Sequence, residues 1–509
     1  MKPGKVILVG AGPGAPDLIT VRGAAALRDA DAVVFDALAS EELLAFAKSG
    51  AEFYNVGKRG HEAPTLPQEE TTALLVRLAC EGKTVVRLKG GDPYVFGRGG
   101  EEGSACYEAG VPLEVIPGVS SIFGALAYAG IPVTDRRMGA SFAVVTGHND
   151  PTRVSRETRW EELAHAADTL LILMGMRNLE PIVTRLLAAG RTPETKAAVV
   201  MNGTLPTQRV VEAPLSEIVE RAREAGLAAP SVVVIGDVVG LRKALAWYEA
   251  QPLFGRRVLV TRSADQAAPL ARTLTAAGAV PVTLPLIELE DPADWTALDS
   301  ALARLDAYDA LLFTSANAVR FTAKRAAARG VALGELNATV ICVGPRTAEA
   351  ALAAGLPVHR VPESRFDAEG VLEVVSQVVS PRGRRFLIPR SEIAREFLPD
   401  GLRAQGAEVD AVTAYRNLPT EVDAGALRAE LVSGGLDALT FASPSTVRRF
   451  AELLDEPSLA AAQRCAIAAI GPVTARALAS VGLPANVIPE RSEGEALVLA
   501  LANHFGPVP

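Results

Sequence analysis

The sequence predicts an α/β protein of two successive halves, the second of them internally duplicated. Two observations carry this reading. Short runs rich in Val, Ile and Leu alternate from end to end with longer Ala/Leu-rich runs, the pattern of βα units and largely parallel sheets. Beyond residue 255 the chain then repeats itself in a fixed register. Arg256–Ser263 returns as Arg384–Ser391, and Asp309–Ser315 as Asp437–Ser443, both at an offset of 128. A third pair, Val343–Ala348 and Ile470–Ala475, is offset by 127. Three matches in one register mark a duplicated α/β unit, and such a unit implies two similar lobes with a ligand cleft between them.

In the first half, strands are expected at Val6–Val9, Ala32–Phe35, Thr84–Lys89, Phe142–Val145, Thr169–Leu173, Ala197–Met201 and Ser231–Ile235, each an apolar run bounded by turn residues. Thr20 is a good N-cap, so the first helix is expected to start there. The charged, loop-like stretch Arg153–Trp160 separates the early strands from the later ones and suggests two lobes, about 1–135 and 136–250. A helix over Leu241–Ala250 is expected to lead into Gln251–Gly255 as a linker, leaving 256–509 as the second half.

Composition limits the function. A net charge of −8 argues against nucleic acid, whose phosphates call for a basic surface. No apolar run reaches the ~18 residues of a membrane span, and the start MKPGKVILVGAG enters a strand and a glycine turn rather than a secretory signal. Cys80, Cys106, Cys342 and Cys465 are far apart without a CxxC pair, which argues against a metal site or a disulfide framework and fits a reducing cytoplasm. Of the 51 basic residues 42 are Arg, whose planar fork suits carboxylates, so an acidic substrate stays open. A compositional bias towards Ala and Arg accounts for the same count.

The most informative stretch is Lys89–Glu102, KGGDPYVFGRGGEE. It follows a strand with two glycines and an Asp-Pro pair, exposing backbone at the strand end where open α/β sheets hold ligands. The earlier turn Val9–Ala15 imitates a dinucleotide fingerprint, with Asp36 near the place of a ribose-binding acid. Pro13, however, has no amide hydrogen to offer a pyrophosphate, and a helix starting at Thr20 leaves too long a loop. An NAD-dependent oxidoreductase is therefore the disfavoured alternative. On the residues alone Asp36 is a strand-end turn former and Lys58 a solvated surface base.

GAGPG at 10–14, Phe35–Leu38, Val56–Arg59, the GGDP string, Ile116–Ser121, Met174-Gly175 and Asn202–Thr204 occur in the order found in uroporphyrinogen-III C-methyltransferases, a family that residues 4–250 resemble. The resemblance implies a two-lobed tetrapyrrole-methylase fold, S-adenosylmethionine held between the lobes, a tetrapyrrole substrate and a homodimer formed through this half. It assigns the donor pocket to Pro13, Gly90, Gly91, Asp92, Val95, Ser120, Ser121, Met174 and Gly203, with Asp36 as proton acceptor and Lys58 as proton donor. A Cβ at Gly90 or Gly91 is expected to intrude on the donor. The chain departs from the family at Ala15, where Asp is usual and Asp17 follows instead, and at Ser120-Ser121, where Thr-Ala is common.

In the second half small residues follow four strand ends and open helices: Thr314–Asn317, Gly344–Thr347, Ser443–Thr446 and Gly471–Thr474. Any one of these is an N-cap, but four in two symmetric pairs suggest a carboxylate cradle, with Arg262, Arg346, Arg390 and Arg416 close by in sequence. Residues 255–509 resemble uroporphyrinogen-III synthase, more loosely than the first half resembles its family. That resemblance implies a two-lobed, interwoven α/β fold, with one lobe of about 256–291 plus 414–509 and the other about 292–413. It also implies cofactor-free closure of hydroxymethylbilane with inversion of ring D. Substrate contacts fall at Arg262, Thr314, Ser315, Gly344, Thr347, Arg390, Ser443, Ser445, Gly471 and Thr474. Tyr415 matches the family's tyrosine, although on composition it is a lobe-junction packing residue. The expected protein is a bifunctional enzyme that makes uroporphyrinogen III and methylates it at C2 and C7 to precorrin-2. The alternative is a methyltransferase fused to a non-catalytic tetrapyrrole sensor.

Overall fold

A computed structural model describes residues 4–57, 66–148, 158–334, 336–363 and 365–506. In the first half, β1 (Lys5–Gly10), β2 (Ala32–Phe35), β3 (Glu52–Asn55), β4 (Thr84–Lys89) and β5 (Leu113–Ile116) form an all-parallel sheet in the order β3-β2-β4-β1-β5. Its central strands are covered on both faces, which explains their unbroken apolar runs. Ile7, Val9, Val33, Phe35, Val86 and Leu88 pack on one side against Leu27 and Leu43. Val6, Leu8, Val34 and Val85 pack on the other against Leu75 and Leu78. The helix Val21–Asp29 begins as expected, with the Thr20 hydroxyl accepting the Gly23 N–H at 3.1 Å.

A second sheet follows. Its strands are β6 (Phe142–Thr146), β7 (Thr169–Leu173), β8 (Lys196–Met201), β9 (Arg209–Pro214) and β10 (Ser231–Ile235), in the order β6-β7-β10-β8-β9. Among the described residues, β6 and β7 pair in parallel and the other pairs of this sheet are antiparallel. The expected helix over 241–250 is cut short, because only Arg242–Leu245 is α-helical. Beyond it Trp247 and Tyr248 turn back onto Tyr128, with ring centroids 5.0 and 4.8 Å away, and Tyr248 meets Phe254 at 5.2 Å. Aromatic packing replaces helix propagation here. Leu253, within the stretch Gln251–Gly255, is fully buried.

The chain forms two compact units. One holds the residues up to Arg257 with Arg272–Pro281 and those from Val498 onward; the other holds Val258–Ala271 with Val282–Leu497. Within the first, the Gly255 N–H donates to Gly278 O at 2.9 Å, and the Val280 N–H to Arg256 O at 2.7 Å.

Among the described residues nine strands build the second half: β11 (Arg257–Val260), β12 (Val280–Thr283), β13 (Ile287–Glu290), β14 (Ala310–Phe313), β15 (Thr339–Cys342), β16 (Arg385–Ser391), β17 (Glu408–Pro419), β18 (Ala438–Phe441) and β19 (Ala466–Ala469). They make two sheets, β12-β11-β18-β19 and β13-β17-β16-β14-β15. The duplication is plain, since β17-β16-β14-β15 repeats the order of the first sheet. β12 and β17 begin at residues 280 and 408, again 128 apart, a match that the sequence comparison missed. β13 is the addition, paired antiparallel with the far end of β17. β11 lies in one sheet with β18, Val258 opposite Ala438, while the whole of the other sheet intervenes in sequence.

Candidate functional site

The loops that leave β1, β4 and β5 cross one another beyond the sheet, because these three strands are neighbours. The Gly91 N–H donates to Gly12 O at 2.7 Å, and the Ala11 N–H to Lys89 O at 2.7 Å. A Cβ added to Gly10 would lie 2.4 Å from Gly118 Cα, and one added to Gly118 would lie 2.3 Å from Gly91 O. Close approach of backbone therefore dictates glycine. The Asp92 carboxylate locks the crossing, one oxygen accepting the Gly118 N–H at 3.0 Å and the other the Tyr94 N–H at 2.8 Å.

The two glycines of GGDP differ. At Gly90 a Cβ would strike Leu38 Cβ at 2.7 Å, so packing excludes it and the expected obstacle, a ligand, is not needed to explain this glycine. At Gly91, where φ is +68°, a Cβ would meet nothing closer than Ser120 Cα and Ser121 N at 3.8 Å. Open room therefore lies beside the start of the helix Ser121–Tyr128, whose N-cap Ser120 is buried. Pro13 packs on that helix, 2.6 Å from where a Gly124 Cβ would be, and Gly203 in the turn after β8 is wedged against Ala125. Thr204 Oγ1 accepts the Ala15 N–H at 3.0 Å, so the departure at Ala15 leaves its backbone with a partner.

Phe96, Arg98, Met174, Asn202 and Thr204 all have positive φ, placing backbone strain on these loops as functional sites often do. A cavity of about 420 Å³ is lined by Tyr94, Phe96, Arg98, Thr146, His148 and Met174. Its size suits a small organic ligand. Val95 is half-buried beside it in sequence.

Asp36 follows β2 with one oxygen on the Leu38 N–H at 3.2 Å and the other on the Arg87 guanidinium at 3.3 Å. Behind it lies a buried charge network that sequence reasoning missed. Arg87 and Lys89, two apart on β4 and hence on one face, both reach the fully buried Glu102, at 3.1 and 3.0 Å. Burial, and then Arg87, hold the Lys89 ammonium below the ordinary lysine pKa. The available signal was a pair of cations inside an otherwise apolar strand. Lys58 lies outside the described residues.

In the second half, helices start directly after β14, β15, β18 and β19, at Ala316, Pro345, Pro444 and Pro472. Ser315 and Ser443 cap the first and third through their own hydroxyls, accepting the Ala318 N–H at 3.0 Å and the Thr446 N–H at 3.3 Å. Their backbone angles agree within a few degrees, φ −158° and −156°, so the duplication reaches the level of single torsions. Gly344 and Gly471 cap the other two with no side-chain acceptor, leaving those first-turn amides to other partners. Thr347 and Thr474 are buried just inside these helices, Thr314 is half-buried, and Ser445 bonds Ser443 at 2.9 Å.

The four arginines divide into two kinds. Arg390 is engaged by Glu396 and the Arg395 carbonyl, and Arg416 by Glu290 at 3.2 Å and Asp291 O at 3.1 Å. Arg262 is buried and Arg346 exposed, and neither is ion-paired among the described residues. Tyr415, buried on β17, places its hydroxyl 3.2 Å from Ser315 Oγ and stacks on Phe321 at 5.4 Å. Burial raises its pKa, partly offset by hydrogen bonds with Ser315, Asn317 and Ser391, so the phenol keeps its proton at neutral pH. Tyr415→Phe should preserve the stacking and slow ring closure by about tenfold or more, a larger loss than Ser315→Ala or Thr474→Ala. Equal rates for the three variants in a coupled assay would deny the phenol a chemical role.

Among the described residues no three His, Cys, Asp or Glu side chains converge as a metal site, and no helix is long and apolar enough to cross a membrane. The family described as tetrapyrrole (corrin/porphyrin) methylases matches residues 5–219, and uroporphyrinogen-III synthase HemD matches residues 268–499. A uroporphyrinogen-III C-methyltransferase of Methanocaldococcus jannaschii is 49% identical over 239 residues, 47% of this chain and 98% of that one. The crystal structure of uroporphyrin-III C-methyl transferase from Thermus thermophilus with S-adenyl homocysteine is 38% identical, with a TM-score of 0.41, covering 47% of this chain and 100% of that one. The "Porphyrin biosynthesis protein HemD" of Ruminiclostridium josui is 35% identical over 504 residues, 98% of this chain and 97% of that one. Similar from end to end to that protein, the chain belongs to its family, with a tetrapyrrole methylase region followed by a uroporphyrinogen-III synthase region.

Proposed function

We propose that this chain closes hydroxymethylbilane to uroporphyrinogen III in its second half and methylates that product at C2 and C7 in its first, giving precorrin-2. The observation that carries the reading is the end-to-end similarity to one relative, with both family matches in the same order. The open side of Gly91, the helix start at Ser120-Ser121, and Met174 and Gly203 in the loops after β7 and β8 fit the methyl donor. S-adenosylmethionine, when bound there, supplies a methyl group activated by a positively charged sulfur. The crossed loops orient donor and substrate and exclude water, which is most of what an in-line transfer needs. Asp36, kept in place by Arg87 and the Leu38 amide, accepts the proton that leaves the methylated macrocycle. Lys58 balances charge or pairs with substrate carboxylates.

In the second half the Gly-capped helix starts hold carboxylates, and the Tyr415 phenol protonates the substrate hydroxyl as it departs as water. No cofactor enters this step. Action in the cytoplasm belongs to the same proposal and is supported by four free thiols, three of them buried. Pairing of two copies through the first half is also proposed, with light scattering as its check.

Mass analysis of products from hydroxymethylbilane tests the whole reading. Uroporphyrinogen III is expected without S-adenosylmethionine and the dimethylated product with it. Type I isomer alone, formed at the spontaneous rate, would instead support the fused sensor. Gly91→Ala places an L side chain at φ +68°. The strain should weaken donor binding by about tenfold in calorimetry, with ring closure unchanged. Unaltered donor affinity would remove Gly91 from the pocket.

A further inference from the structure

We propose that Glu102 is a positioning residue for methyl transfer, which holds Arg87 against Asp36 and, together with Lys89, sets how readily Asp36 takes a proton. The inference rests on the reading of Asp36 as proton acceptor and deepens it by naming the groups that govern that carboxylate. Glu102 is fully buried on the helix Gly99–Glu108. The Arg87 Nε donates to its Oε1 at 3.1 Å, and the Lys89 ammonium lies 3.0 Å from each of its oxygens. Arg87 Nη2 reaches Asp36 Oδ2 at 3.3 Å, while Nη1 donates to the Val34 and Leu88 carbonyls at 3.4 and 3.2 Å. One fixed guanidinium thus bridges two carboxylates.

The cluster stands at the site end of the sheet. On the same face of β4, Val85 packs against Leu75 and Leu78, whereas Arg87 and Lys89 occupy the end that leads into GGDP. Hydrocarbon would fill that end of the core at no loss of stability, since a buried ion cluster seldom stabilises a fold more than well-packed apolar side chains do. A charged cluster here points to function. The helix that carries Glu102 opens with Gly99, Gly100 and Glu101, which line the cavity of about 420 Å³. A Cβ at Gly97 would come within 3.3 Å of Lys89 Cε, so the lysine stem lies against the loop that enters this helix.

Arg87 and Lys89 bring two positive charges, and Asp36 and Glu102 two negative ones, so the set is neutral while Asp36 is ionised. Cys106, buried on the same helix, stays neutral because burial and then Glu102 push its thiol up. Gln68 adds an uncharged amide 3.2 Å from Glu102, and Gly57, after β3, packs on the Asp36 backbone without charge. When Asp36 accepts the proton that leaves the methylated macrocycle, the set gains one positive charge. Glu102→Gln leaves an excess cation, which favours the ionised carboxylate and makes Asp36 a weaker base. Lys89→Met leaves an excess anion and acts in the opposite direction.

The test measures methyl transfer from S-adenosylmethionine to uroporphyrinogen III by the full-length protein, with both at saturation, over the pH range in which each variant keeps the parent circular dichroism. In Glu102→Gln the low-pH limb of kcat should move down by about one pH unit, and the rate at neutral pH should fall by about threefold to tenfold. In Lys89→Met the limb should move up by about one unit. The double variant, neutral again, should return to the parent limb. The substrate's own carboxylates titrate alike in every variant, so differences between the profiles belong to the protein. Ring closure should stay constant throughout.

Shifts in one direction for both single variants, or slower rates with unmoved limbs, would reduce Glu102 to a structural residue and overturn the proposal. Asp36 would then remain the proton acceptor as long as Asp36→Asn loses its rate. A full rate in Asp36→Asn would overturn both. If Glu102→Gln fails to fold, the direction of the Lys89→Met shift decides alone.

Discussion

Methyl transfer is expected to fall by about 10²-fold or more in Asp36→Asn, while donor affinity and ring closure remain as in the parent protein. The carboxylate has two neighbours, the Leu38 N–H and the Arg87 guanidinium, both of them donors. An Asn oxygen satisfies one of these, and its amide nitrogen cannot accept from the other. Folding should survive, because Arg87 keeps Glu102 and the carbonyls of Val34 and Leu88. The variant therefore separates proton removal from architecture. Single-turnover methylation with saturating S-adenosylmethionine measures the effect, and a full rate would leave Asp36 as a loop former.

Gly118→Ala should unfold the first unit more readily, by about 3 kcal/mol, and abolish donor binding. Its new Cβ would lie 2.3 Å from Gly91 O and 2.6 Å from Gly10 Cα, both backbone atoms that no rotamer change can move. Relief requires the β1 and β4 loops to separate. Asp92 would then lose the Gly118 amide, and the gap beside Ser120 would change shape. Thermal unfolding together with donor calorimetry checks this, with ring closure as the internal control. A variant with unchanged melting and donor affinity would show that the crossing tolerates a methyl group.

Most of the fold was legible because its central strands are buried on both faces. β1, β2, β4, β7, β8 and β10 announced themselves as apolar runs. The strands of the first half that escaped notice, β3, β5 and β9, are all at sheet edges. β3 reads Glu-Phe-Tyr-Asn and is mostly exposed, so neither a continuous apolar run nor a clean alternation marks it. The helix expected over 241–250 failed for another reason. Its composition favours helix, but Trp247 and Tyr248 gain more from packing on Tyr128, a contact more than a hundred residues away in sequence.

The candidate sites show the same division. GGDP, GPG and the four helix-opening turns are local patterns and could be located by number. What each residue does depends on partners from elsewhere. Leu38 excludes larger residues at position 90, Asp92 serves Gly118, and Arg390 is taken by Glu396 while Arg262 has no ion pair among the described residues. The Asp36–Arg87–Glu102–Lys89 network joins three separate segments, and only the tertiary fold brings them together.

The pairing of β11 with β18 has a consequence during synthesis. Val258 leaves the ribosome 180 residues ahead of Ala438, the residue it will pair with. At typical elongation rates that gap lasts roughly 10–40 s. Meanwhile β14, β15, β16 and β17 emerge in succession and can form most of their own sheet. Throughout this wait β11 carries an unsatisfied strand edge, the kind of surface that pairs with neighbouring chains. Truncations ending before residue 438 should therefore be poorly soluble even though they retain the complete methylase region, and the nascent second half is the stage at which this protein most depends on chaperones.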